Sequence, residues 1–237
     1  MIEFFFKRKE IVVDFFTCDI AAHKFAPIQT SIKSMPAWFK NTPKSFKHPE
    51  EHVKYVNTGT IKNCYGLTEY FKRSFTVPMW SDLVIDVSTE TYGYYFAGGY
   101  MTDIASHPAE ATNNTFNNDF HHLKLLPPWL CQSKEDLNLL FIEPFWNHIV
   151  CPELVSNLFI QHGVVNCKYI PSVNINLFLR KENYRLELAH KMPIVHLVPL
   201  TDRKVKVTNH LVGEKEFLSL NKILPPVFLN KYKKGTL

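Results

Sequence analysis

The sequence predicts a mainly β fold: an antiparallel β-sandwich or β-clip-like single domain with one or two short helices. Three observations predict it. Between Pro171 and Leu179, Val173, Ile175, Leu177 and Leu179 fall on one face while Asn174 and Asn176 fall on the other, the period of a half-buried strand. Ile194 to Leu200 is too apolar and β-branched for a surface loop and too short for a helix. Aromatic residues make up 14% of the chain and only 8 of its 237 residues are glycine, which supplies a large core and excludes collagen-like or glycine-rich repeat architectures.

Taken in order, Ile2 to Phe6 and Ile11 to Phe16 read as two strands joined by a charged turn, so a hairpin is expected to open the fold. Four prolines (Pro27, Pro36, Pro43, Pro49) then punctuate an extended, loop-rich segment with at most a one-turn helix at Ala37 to Asn41. Thr60 to Arg73 is the best helix candidate, because Leu67, Tyr70 and Phe71 form a stripe and Lys72 and Arg73 suit a last turn. Strands are expected within Phe75 to Val87, with Trp80 a core aromatic between them, and an aromatic edge strand within Thr91 to Tyr100. The polar run Ser106 to Asn118 has turn composition. Strands resume at Phe120 to Leu126 and Leu137 to Ile142. The stretch Phe159 to Leu200 is expected to close the core as three adjacent antiparallel strands, with a turn at Arg180 to Tyr184 and a break at Lys191 to Pro193.

Residues 1–200 read as one β-rich domain, and 201–237 as a basic C-terminal extension packed in part upon it. That extension holds eight basic side chains against three acidic ones, which equals the whole chain's formal charge of +5. Lys231, Lys233 and Lys234 at its end are candidates for an anionic partner, nucleic acid included. Five cysteines, widely spaced and without a C-x-x-C pair, imply neither a disulfide framework nor a zinc ribbon. The first residues place apolar side chains before basic ones, the wrong order for an export signal, and no apolar run reaches the roughly 20 residues of a membrane span. The expectation is a cytoplasmic protein with no membrane partner.

Candidate chemistry is sparse. His48 and His52 stand four apart with Glu50 between them, a set that would hold a single divalent metal if the segment were helical. A facial iron site would need a third ligand such as His196 or His210. His121 and His122 are neighbours in a strand and point to opposite faces, so they do not chelate one ion. Glu143, followed by Pro144 and Trp146, is a candidate for a carboxylate in an aromatic pocket, and Tyr92, Tyr94 and Tyr95 for a platform on which bases or sugars stack. The sequence contains no nucleophile elbow, phosphate loop or dinucleotide fingerprint.

The blocks MPAWFK (35–40), TIKNCYG (60–66), VPMWSD (77–82), LLPPW (125–129), GVV (163–165) and PIVHLVP (193–199) together resemble an uncharacterised family of tailed phages, notably those of marine bacteria and cyanobacteria, and of some bacteria. The resemblance spans about residues 25 to 200. It implies a phage-type protein in the cytoplasm of an infected host or in the virion, and it carries no activity with it. A weaker similarity links GVVNCKY (163–169) and MPIVHL (192–197) to the late motifs of dUTPase-type β-clip proteins. There the pattern implies an aspartate where Asn166 stands and a glutamine where His196 stands, so the water-activating base is absent. The expectation is a non-enzymatic protein that acts by binding or assembly, with another protein or a second copy as partner and no cofactor. The alternative is a metal-dependent oxygenase-like or nucleotide-pyrophosphatase-like enzyme on a β fold.

Overall fold

The structure is a computed structural model of the chain and describes residues 9–46, 58–98, 103–106, 118–147 and 157–221. The described chain is mainly β. Numbered in chain order, its strands form four larger sheets. The first sets β1 (Ile11–Thr17) between an antiparallel β10 (Leu130–Ser133) and a parallel β17 (Val205–Leu211). The second runs β13 (Gly163–Asn166), β11 (Asn138–Ile142), β16 (Pro193–Pro199), β5 (Phe75–Pro78), β2 (Gln29–Thr30). In the third the order is β12 (Leu158–Ile160), β14 (Ile175–Arg180), β9 (Phe120–Leu126), β8 (Asp103–Ser106), and in the fourth β15 (Tyr184–Leu188), β6 (Leu83–Val87), β7 (Tyr92–Phe96). Every pairing in the last three sheets is antiparallel. A short ribbon joins β3 (Ser45–Phe46) to β4 (Thr58–Gly59).

One core unites these sheets in a sandwich arrangement. Ile175, Leu177 and Leu179 of β14 point into it, as their period predicts, together with Val13 and Phe15 of β1, Ile85 of β6 and Leu139 of β11. Each such buried side chain contributes roughly 1.5–3 kcal/mol. Ile194, Val195, His196 and Leu197 of β16 are all fully buried, because that strand is central in its sheet and is covered on both faces. Its second cover is a smaller aromatic cluster of Phe39, Phe71 and Trp146, against which Leu67 and Tyr70 pack.

The helices among the described residues are α1 (Ile20–Phe25), α2 (Ala37–Asn41), α3 (Tyr65–Arg73) and α4 (Glu214–Asn221), with 3-10 turns at Ser31–Ser34 and Ile61–Asn63. α2 and α3 lie where the sequence puts helices. α1 and α4 were not expected. The side chain of Asp19 caps α1 by accepting a 2.9 Å hydrogen bond from Ala22 N, a local signal strong enough to start a helix too short to show a stripe.

Two tertiary expectations are corrected. β14, β15 and β16 follow one another in sequence but belong to three different sheets: both edges of β14 are taken by β12 and β9, while β15 pairs with β6. Alternation tells which face of a strand is buried and says nothing about which strand lies beside it. The opening hairpin is corrected over its second strand, where from Val13 to Phe16 both edges of β1 are occupied by β10 and β17; Ile2 to Phe6 lies outside the described residues. Within the C-terminal segment, Val205–Leu211 is a full sheet strand beside β1. No helix among the described residues is long and apolar enough to cross a membrane.

Candidate functional site

A cleft of about 390 Å³ opens beside the aromatic cluster, within the ~300–1,000 Å³ usual for small-ligand sites. Its walls come from the 3-10 turn (Ser34), the start of α2 (Pro36, Ala37), the segment after β11 (Trp146, Asn147), β15 (Glu187) and the turn into β16 (Ala189, Met192, Pro193). That turn is shaped by Lys191 in the left-handed region, at φ 68°, held by a 2.8 Å bond from its N–H to the Met79 carbonyl.

Asn147 is the best-defined polar group in the cleft. It is 1% exposed, and its Nδ2 donates to the Pro193 carbonyl at 2.7 Å, which fixes the orientation of the amide. Its Oδ1, buried, has no hydrogen-bond donor among the described residues. An acceptor in that state costs about 1–3 kcal/mol until something donates to it. Trp146 beside it is also buried, its ring 5.1 Å from Phe71 and 4.7 Å edge-on from His196.

Behind this wall runs a chain of polar groups, with Ser31, Thr76 and His196 buried and Tyr70 and Ser34 half-buried. The Tyr70 hydroxyl lies 2.6 Å from His196 Nδ1, and Nε2 lies 3.2 Å from Thr76 Oγ1. Thr76 donates onward to Ser31 Oγ at 3.0 Å, so Nε2 carries the proton and donates to Thr76, while Nδ1 accepts from Tyr70. Ser34, at the cleft, completes the chain 2.5 Å from Thr76 Oγ1. Burial drives the His196 pKa down to about 3 and pushes the Tyr70 phenol well above its usual range. At neutral pH His196 is therefore an uncharged imidazole with both nitrogens engaged. It holds α3 and the 3-10 turn against β16 and has no lone pair to offer a metal or a substrate proton.

Of the residues proposed from sequence, the structure brings Trp146 to the cleft. Glu143 sits three residues earlier, half-buried, with Oε1 shielded from solvent. The tyrosines of β7 do not form one platform: Tyr92 and Tyr94 share a face and Tyr95 points to the other, the result of a period of two. Tyr92 bonds Ser106 at 2.5 Å and Tyr94 bonds Asp103, which ties both rings to β8, while Tyr95 is 63% exposed. His121 donates to the Ser88 carbonyl at 2.9 Å and His122 stacks on Phe178 at 4.4 Å, the two rings diverging as expected of neighbours in β9. His210 pairs with Asp14 at 2.8 Å. His48, Glu50, His52, Lys231, Lys233 and Lys234 lie outside the described residues. Among the described residues no three His, Cys, Asp or Glu side chains gather as a metal site.

The two positions picked out by the β-clip similarity flank β11 at opposite ends. Asn166 pairs with Asn138 and His196 with Ile142, four residues apart along that strand, or roughly 13 Å. Asn166 is engaged locally, donating to Asn138 Oδ1 at 2.9 Å and accepting from Lys168 N at 3.0 Å.

Asn147, Ser34, Glu187 and Met192 were missed in the sequence. Asn147 carried a faint signal as the polar residue that ends the EPFWN break, next to a tryptophan already singled out. The lone histidine inside the apolar run PIVHLVP carried a stronger one, since a buried imidazole needs partners for both nitrogens. No protein-family model and no curated protein matches the chain.

Proposed function

We propose that the protein acts by binding, and that its cleft takes a small ligand, or a side chain of a partner, with an N–H-bearing cationic head on an apolar body. The observation that carries this reading is the buried Oδ1 of Asn147, which among the described residues receives no hydrogen bond although the residue lines an open cleft. Glu187 at the rim adds a negative charge for the same head group, and Pro36, Ala37, Met192 and Pro193 supply apolar walls. The groups nearest to acid–base chemistry, Tyr70 and His196, are held neutral by burial and bonded to one another, which suits a scaffold better than a catalyst. The resemblance to a tailed-phage family carries no activity and bears only on place, the infected host's cytoplasm or the virion.

Benzylammonium is a suitable probe. Titrated against isotope-labelled protein, it should shift the amide signals of Ala37, Asn147 and Met192, and Glu187→Gln, an exposed substitution on β15, should weaken it several-fold. Benzyl alcohol should bind less well. A folded protein whose cleft signals stay fixed throughout the titration would rule the reading out.

A further inference from the structure

β17 and β2 are outer strands of two different sheets, and their edges border a second groove, of about 560 Å³, separate from the cleft. The phase of the hydrogen bonds shows what these edges present. Ile11 N donates to Lys204 O and Val212 N to Thr17 O, both at 2.9 Å, so the even-numbered residues of β17 bond to β1. Val205 and Val207 therefore turn their N–H and C=O groups away from β1, toward the groove. On the other wall, Ser31 N donates to Ser74 O at 2.9 Å and Gln29 pairs with Thr76, so Thr30 between them turns its N–H outward. At one end of the groove the two edges are already joined by a side chain acting as a strand would. Asn209 Oδ1 accepts from Ile28 N at 3.1 Å, and its Nδ2 donates to Ile28 O at 2.9 Å.

The groove is also charged. Lys33, Lys204 and Lys206 are exposed along it against a single carboxylate among the described residues, Glu10, which pairs with Lys204 at 2.9 Å. Its floor is apolar, from Ile28, Phe75 and Val207.

We propose that this groove takes an extended acidic peptide of a partner protein, added as a strand between β17 and β2. The backbone groups of both edges would continue the ladder that Asn209 begins at Ile28. Alternate peptide side chains would meet the apolar floor, and the others, as carboxylates, the lysines. A nucleic acid is the poorer fit: among the described residues of the lining the only aromatic ring is Phe75, buried and without an exposed face for stacking a base.

The test is fluorescence anisotropy with a labelled octapeptide of alternating Glu and Val on the full chain. Saturable binding that weakens with salt is expected. It should weaken about tenfold or more in Lys33→Glu/Lys206→Glu, which alters only exposed side chains, and it should be lost for the same peptide N-methylated at every second residue. Circular dichroism of the double variant confirms its fold. Undetectable binding would leave the lysines as mere protection of sheet edges and overturn the proposal. So would equal affinity for the N-methylated peptide, affinity unchanged in the double variant, or an oligothymidylate that binds more tightly than the peptide.

Discussion

The Tyr70 hydroxyl stands 2.6 Å from Nδ1 of His196, linking a helix to the central strand of the five-stranded sheet across 126 residues of sequence. Each group satisfies the other, the imidazole fully buried and the tyrosine half-buried. Tyr70→Phe keeps the ring and removes the donor, leaving a buried imidazole nitrogen unpaired. It should lower the unfolding free energy by about 1–3 kcal/mol in urea denaturation. A loss near zero would mean that Nδ1 finds another partner.

The same histidine makes stability depend on pH. Its folded pKa, about 3, lies below the unfolded value near 6.5, so on acidification the unfolded chain takes up a proton that the folded chain refuses. The penalty is absent above the unfolded pKa and grows as pH falls from about 6.5 toward 3, by up to roughly 1.4 kcal/mol per pH unit. His196→Gln retains hydrogen-bonding capacity without a titrating group. Its stability, measured by denaturant at pH 7, 6 and 5, should fall less with acid than that of the unaltered protein. Parallel profiles would remove His196 as the source.

Leu177 is fully buried at the middle of β14, facing Ile160 of β12 and Leu123 of β9 across the two ladders. Leu177→Ala should cost about 2–5 kcal/mol by loss of burial and opening of a cavity. Asn176→Ala, on the other face of the strand, should cost clearly less. Thermal unfolding of the two variants separates them, and equal losses would contradict the burial pattern.

Cysteine reactivity should divide the described thiols. Cys131 and Cys167 are buried, and the proximity of Cys167, together with burial, pushes the Cys131 thiol well above its usual range. Cys64 is exposed. Brief treatment of the native protein with iodoacetamide, followed by peptide mass spectrometry, should label Cys64 first and leave Cys131 and Cys167 unmodified until denaturant is added. Early labelling of Cys131 would show that the region around β10 opens readily.

How far the sequence could be read differs between fold and site. The alternation in 173–179, the apolar run 194–200 and the stripe Leu67, Tyr70, Phe71 each record a local relation of side chain to core, and all three became the elements they foretold. The candidate cleft left almost no local record, because its walls come from five separate segments and its polar groups, Ser34, Asn147 and Glu187, acquire meaning only through one another. Trp146 was visible as a large aromatic beside a break. Asn147, one position on, gained its significance from the Pro193 carbonyl that orients it and from the burial that isolates its oxygen.

By itself the sequence determined that this chain is mainly β, which faces of its strands are buried, and where α2 and α3 form, since these follow from side-chain period and capacity for burial along a few consecutive residues. Only the tertiary structure decided that β14, β15 and β16 go to three different sheets, that Val205–Leu211 runs parallel to β1, and that Tyr70, His196 and Thr76 meet. Partner choice between strands rests on contacts far apart in sequence, whose free energies are set by the whole core at once, and no local pattern encodes them.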